Sequence, residues 1–147
     1  MSFTLSVHRV VDQELFDNVP VDVTSTEFDH WFDECQRRTL FDAPVAAVGD
    51  FEGYWHRPAL RLGLPLIGRI HDSGLQVSGT GLGDLAQELV QLEQDWLTEV
   101  PDDAWRGVII GQRQLHVPLL VHLFDRADNV AQAVRIAQVV DGVIEIS

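Results

Sequence analysis

The segment GLGDLAQELVQLEQDWLTEV, residues 81–100, constrains the fold more than any other part of the chain. Its apolar side chains recur every three or four residues, the spacing of one face of an α-helix: Leu82, Leu85, Leu89, Leu92 and Trp96. Pro101 follows and cannot continue a helix. We therefore predict a long helix here, with Glu88 and its polar neighbours on the solvent face.

Two further segments carry helical signals. In VTSTEFDHWFDECQRR, Thr24 and Glu27 have the spacing of a capping box, and an apolar stripe follows it: Phe28, Trp31, Phe32 and Cys35. These signals predict a helix over about 25–38. Asp128 precedes NVAQAVRIAQVV, which predicts a third helix that ends at Asp141-Gly142.

Alternating and apolar runs predict the strands. Phe3, Leu5 and Val7 alternate with polar residues, which is typical of a strand with one buried face. Further strands are predicted at 45–48, 107–110, 115–124 and 143–146, with a hairpin turn at 112–114 and Pro118 at an edge or bend. Segment 12–23 is predicted as a loop, and 54–74 as a short helical piece followed by an extended one. The sequence thus predicts an α+β fold, a single domain spanning 1–147, with a mainly antiparallel sheet and about three helices.

The charge excludes several classes of partner. The chain has 23 acidic and 10 basic residues, a net charge of −13, and all of the basic residues are arginine. So negative a field repels nucleic-acid phosphates and acidic membranes, whereas it attracts a basic protein partner. A high-GC or salt-adapted host would also explain the missing lysines.

Targeting signals are not apparent. The start, MSFTLSVHRVVDQEL, has no basic end followed by an apolar stretch, and no apolar run reaches the roughly 20 residues of a membrane span. The single cysteine, Cys35, excludes an internal disulfide framework and lies on the apolar stripe of a predicted helix. We therefore expect a cytoplasmic protein with an inert, buried thiol.

No motif predicts a catalytic residue, a bound metal or a cofactor. His30 and Glu34 share a helix face but lack a third ligand, and SGTGLGD (78–84) matches neither known phosphate-binding loop. His116 and His122 are predicted to share one face of a strand. An alternative is a small enzyme or a pocket for an anionic ligand, and it rests on clustered basic residues: His56, Arg61, Arg69 and His71.

Two aromatic segments beside acidic residues are candidates for a contact surface. Tyr54 and Trp55 follow Asp50 and Glu52, and Trp105 follows Asp102 and Asp103. Tryptophan and tyrosine often anchor protein interfaces, so these seven residues form the predicted partner-binding set. The alternative is that both tryptophans lie in the core.

The last part of the chain resembles a known class of protein. NVAQAVRIAQ, then VVDG and the strand VIEI, is similar to the ending of several small bacterial immunity proteins of polymorphic toxin systems, and LPLIGRIHDSGLQVSGTGLGDLAQEL adds to the likeness. The resemblance implies a protein that neutralises a toxin domain, and it assigns no individual residue. Together with the charge, it favours a non-enzymatic inhibitor of a basic toxin or nuclease.

Overall fold

In the computed structural model, which covers residues 1–147, the strands form two antiparallel sheets. The strands are β1 (Ser2–Arg9), β2 (Phe41–Ala47), β3 (Leu75–Ser78), β4 (Trp105–Ile110), β5 (Arg113–Pro118) and β6 (Gly142–Ile146). A central sheet has the order β2-β1-β6-β3, and β4 and β5 form a separate hairpin. The predicted α+β class with antiparallel pairing is confirmed.

Helices occupy most of the remaining chain. They are α1 (Gln13–Asp17), α2 (Thr26–Arg38), α3 (Val48–Asp50), α4 (Arg57–Leu62), α5 (Pro65–Ser73), α6 (Gly81–Glu99) and α7 (Leu119–Val140). A 3-10 turn, Val10–Asp12, precedes α1, and a π-helical segment, Phe51–His56, joins α3 to α4. None of these helices combines the length and apolar composition that a bilayer crossing requires.

The core lies between one face of the central sheet and the long helices. Leu5 and Val7 of β1 and Ile144 and Ile146 of β6 point into it, as strand alternation requires. Helix α7 crosses this face with small buried residues that permit close approach, namely Ala127, Ala133 and Ala137. A side chain on Gly142 would lie 3.0 Å from Ala137 Cα and 3.1 Å from the His8 carbonyl, so only glycine fits there without a shift.

The opposite face of the sheet is partly covered by α1. Phe16 stacks on the buried His8 ring at 3.9 Å, and His8 Nε2 lies 2.7 Å from Gln13 Oε1.

On α2, Cys35 is buried, and this burial raises the pKa of its thiol. The predicted burial of the thiol is confirmed, and its raised pKa disfavours the reactive thiolate.

The helical run 48–62 contains a proline, Pro58, near the start of α4. Pro58 has no N–H to donate to the Tyr54 carbonyl, which would be its partner in an α-helix. That carbonyl instead accepts a 2.6 Å hydrogen bond from Trp96 Nε1 of α6. The π-helical segment and the side chain of α6 thus together accommodate the proline.

A buried carboxylate holds the start of α5. Pro65 begins the helix, and Glu88 of α6 accepts hydrogen bonds from the backbone N–H groups of Leu66 and Ile67 at 3.0–3.2 Å. Glu88 is 7% exposed, so its predicted position on the solvent face of α6 is wrong. The unpaired N–H groups of a helix start favour an anion, which explains the burial of this side chain.

Several sequence predictions require correction. The chain has more than about three helices, because α1 lies in the predicted loop 12–23, and 48–62 and 65–73 are helical. The apolar residues Phe51, Trp55 and Ala59 recur at helical spacing, but the glycines and prolines around them hide this signal. Helix α2 begins after Ser25, whose hydroxyl accepts from Phe28 N, and not after Thr24.

The predicted strand 115–124 is wrong beyond Pro118. Pro118 ends β5 because it has no N–H for the ladder, and α7 begins at Leu119. Asp128 is consequently inside α7 and does not cap it. His122 lies on this helix whereas His116 lies on β5, so the two histidines do not share a strand face.

Candidate functional site

The β4–β5 hairpin exposes several large apolar side chains. Trp105 is 62% exposed, Ile109 79% and Ile110 61%, and Leu115 is also exposed. The register pairs Trp105 with Pro118 and Ile110 with Arg113, so the strands are matched from base to tip. We call these four apolar residues, together with Asp102 and Asp103 at the base, the hairpin surface.

Asp102 and Asp103 lie immediately before β4, and both are exposed. They form the turn after α6, and the Ala104 N–H donates to the Pro101 carbonyl at 3.1 Å. The hairpin surface therefore joins an exposed tryptophan to two exposed carboxylates. Protein interfaces commonly combine an aromatic anchor with a polar rim.

A cluster of charged groups fastens the base of the hairpin to the body. Arg106 of β4 and Asp50 of α3 form an ion pair in which the nitrogen and oxygen lie 2.6 Å apart. His122 Nε2 lies 4.0 Å from the same Asp50 oxygen. Burial lowers the pKa of His122, and the neighbouring Arg126 and Arg106 lower it further. This lowered pKa favours the neutral form of the ring at the seam between hairpin and body, although Asp50 and Asp125 act in the opposite direction.

The seven predicted partner-binding residues separate in the structure. Asp102, Asp103 and Trp105 lie together on the hairpin surface, whereas Asp50 is nearly buried beneath it. Trp55 is 1% exposed and lies between Phe51 and Trp96, with ring centroids 5.7 and 5.3 Å away. Tyr54 is half-buried, and Glu52 faces Arg57 at 3.4 Å.

The ion pairs leave an excess of negative charge. Five of the ten arginines pair with five of the 23 carboxylates, and the other eighteen carboxylates have no arginine within pairing distance. The paired arginines are Arg37, Arg38, Arg57, Arg61 and Arg106. Half of the cations are thus already matched within the chain.

The alternative pocket of four basic residues is not assembled in one place. Arg61 forms two hydrogen bonds with Asp95, at 2.7 and 2.9 Å, and lines an open groove of about 360 Å³ beside Tyr54 and Trp96. Arg69 lines a different groove on α5, and its Nε lies 3.4 Å from the Pro65 carbonyl. Neither groove includes His56 or His71.

His56 and His71, in contrast, meet. Their rings stack with centroids 4.6 Å apart and planes inclined by 25°. Asp72 joins them, because its Oδ1 lies 2.9 Å from His71 Nδ1. This hydrogen bond lowers the pKa of Asp72, so its carboxylate is charged at neutral pH. Among the histidines, cysteine and carboxylates of the chain, this group alone brings three metal-ligating side chains together.

Comparison of the chain with models of protein families, with curated proteins and with solved structures found no match. The sites must therefore be judged on their own geometry.

Ile109, Ile110 and Leu115 were not among the predicted contact residues. Their signal was the hairpin itself, since a short two-stranded ribbon with apolar residues on both faces cannot bury them all.

Proposed function

We propose that the chain is a non-enzymatic binding protein that docks a basic protein partner on the hairpin surface. The observation that carries this proposal is the exposure of Trp105 beside Asp102 and Asp103. An exposed tryptophan is a favoured binding anchor. Ile109 lies on the same face of β4 and adds exposed apolar surface to that face, whereas Ile110 and Leu115 lie on the other face of the hairpin.

The charge of the chain supports a basic partner. Eighteen carboxylates without an arginine partner create a field that accelerates the encounter with a positive surface and rejects negative ones. The same field opposes the association of two copies of the chain through their hairpins. The partner is therefore expected to be a different, positively charged protein.

The resemblance of the chain's ending to immunity proteins suggests the class of partner. A secreted toxin that acts on nucleic acid must carry a basic surface, and an acidic inhibitor would occupy it. We propose that the chain is such an inhibitor and that it acts in the cytoplasm, where a toxin of this kind reaches its target.

The alternative of an anionic-ligand pocket finds less support. Arg61 is neutralised by Asp95, and Arg69 lies in another groove, so no pocket gathers free cations. Five open grooves on the surface contain no convergent nucleophile, base and oxyanion donor, the arrangement expected of an enzyme.

The test is capture of partners from host lysate by the immobilised chain, with Trp105→Ala as the decisive variant. We expect the wild type to retain a basic protein, and Trp105→Ala to weaken the purified complex by about 2 kcal/mol, roughly 30-fold. Asp102→Asn combined with Asp103→Asn should slow association about tenfold at low salt and have less effect at high salt.

Leu60→Ala is the matched control, because Leu60 is equally exposed (61%) but lies on α4. It should leave the affinity unchanged. The proposal fails if Trp105→Ala and Leu60→Ala behave alike, if the retained protein is acidic, or if the wild type forms a dimer through the hairpin. Circular dichroism of each variant establishes that it is folded.

A further inference from the structure

The second notable group of side chains is the His56–His71–Asp72 cluster, which lies on elements other than the hairpin. His56 ends the π-helical segment and His71 lies in the last turn of α5. Gly63, with a φ of +71° that favours glycine, turns the chain between α4 and α5 and so brings the two rings together. Single π-helical turns are rare and are frequently found at functional sites.

The three side chains offer a compact set of metal ligands. One nitrogen or oxygen from each lies within 4.8 Å of the other two. Ligand atoms of a tetrahedral zinc ion lie about 3.4 Å apart, which follows from bonds of about 2.0–2.1 Å. The Asp72 side chain is 78% exposed, so it can rotate to close the remaining gap.

One atom of the cluster lacks a partner within the chain. His56 Nδ1 is buried, and no protein group hydrogen-bonds to it. A buried polar atom without a partner costs about 1–3 kcal/mol of stability, so a bound water or a ligand at His56 Nδ1 would be favourable. A metal binds the unprotonated nitrogen of a neutral imidazole, and no protein group competes for this one.

The surrounding charges permit a cation. Arg57, next to His56, faces Glu52, and Arg69 turns back toward the Pro65 carbonyl. The charged Asp72 instead supplies a negative group beside both rings. Arg57 and Arg69 thus each have an oxygen partner within the chain.

We propose that His56, His71 and Asp72 form a binding site for a divalent transition-metal ion. Two imidazoles and one carboxylate are ligands that zinc and iron accept, whereas magnesium and calcium prefer oxygen ligands alone. Three protein ligands leave one coordination position open, as in zinc sites that also hold water or a substrate. This site is independent of the hairpin surface.

The experiment is a competition titration of the whole chain with Zn²⁺ against a chromophoric chelator. We expect one zinc ion per chain. His71→Gln and Asp72→Asn should each weaken binding by about 100-fold, because even groups that only orient metal ligands contribute about 10–100-fold. His30→Gln is the matched control, since His30 is exposed on α2 and has acidic residues near it in the sequence.

Equal loss of affinity in His30→Gln and His71→Gln would overturn the proposal, as would the absence of stoichiometric zinc binding by the wild type. His56 is partly buried, so its replacement can disturb the fold. The role of His56 is therefore tested in the wild type by the NMR signals of the histidine rings. The ring signals of His56 and His71 should shift with zinc while that of His30 does not, and the reverse pattern would contradict the site.

Discussion

The central sheet and the β4–β5 hairpin are both antiparallel, yet they are stabilised in different ways. In the sheet, residues such as Val7 and Ile144 are fully buried under α7. In the hairpin, Ile109 and Ile110 extend into solvent, and only the base contacts the body. The sheet is therefore held by apolar burial, whereas the hairpin is held by strand pairing and by the Asp50–Arg106 pair.

The two regions therefore differ in what their apolar residues contribute to the stability of the fold. Apolar residues that are buried contribute to the free energy of folding, and apolar residues that are exposed at the same density contribute little to it. We propose that a contact with a partner explains the exposed residues of the hairpin. The predictions below test whether the two regions differ as described.

The largest expected effect contrasts two isoleucines. Ile144→Ala should lower the free energy of unfolding by about 2–5 kcal/mol, because it leaves a cavity in the core. Ile109→Ala should cost less than about 1 kcal/mol, a loss of strand preference alone. Urea denaturation of both variants measures the difference, and similar losses would show that the hairpin belongs to the core.

A medium effect is expected at the buried carboxylate that caps α5. Glu88→Gln should lower the free energy of unfolding by about 1–3 kcal/mol, because the charged acceptor of the Leu66 and Ile67 N–H groups is lost. Glu99→Gln, exposed at the end of the same helix, should have no measurable effect. If the two variants unfold alike in urea, the cap contributes nothing.

The smallest effect is expected at the seam of the hairpin and depends on pH. Burial lowers the pKa of His122 in the folded chain, whereas in the unfolded chain the ring keeps its ordinary pKa of about 6.5. As the pH falls below about 6.5, the unfolded chain therefore takes up the proton before the folded chain does. Stability from this residue is thus present above about pH 6.5 and declines as the pH falls below it. Urea titrations of the wild type and His122→Gln at several pH values should show a weaker decline in the variant. A decline of the same size in both proteins would show that His122 does not contribute to the loss of stability at low pH.

Much of the fold was accessible from the sequence. The stripes of α2 and α6, the alternation of β1 and the β4–β5 hairpin each depend on local spacing, and local spacing is what periodicity reports. The turn of the hairpin, however, lies at Gly111 and Gln112 and not at the predicted 112–114. Helix α7 was predicted only in its second half. The apolar run after Pro118 resembles a strand. Leu119, Leu123 and Ala127 do recur at helical spacing, but the apolar residues between them hide this periodicity in the sequence.

The candidate sites were accessible in part. The position of Trp105 beside two aspartates follows from the sequence, but its exposure and the burial of Trp55 depend on which neighbours fold over them. Glu88 looked like a solvent-facing residue because its partners, Leu66 and Ile67, lie more than twenty positions away. The meeting of His56 and His71 likewise depends on the turn at Gly63, which spacing alone does not define.

The pairing of β1 with β6 has a consequence for how the chain folds. Leu5 is registered with Ile146, so the middle of the central sheet joins residues 2–9 to residues 142–146. Contacts over such separations are slow to form, because the long segment between the two strands must close into a loop first. Helices α6 and α7 can form early from local contacts, whereas the sheet waits for the arrival of residues 142–146. During synthesis, the apolar face of β1 therefore remains without β6 until residues 142–146 have been translated, and in that interval the chain is most exposed to misassociation.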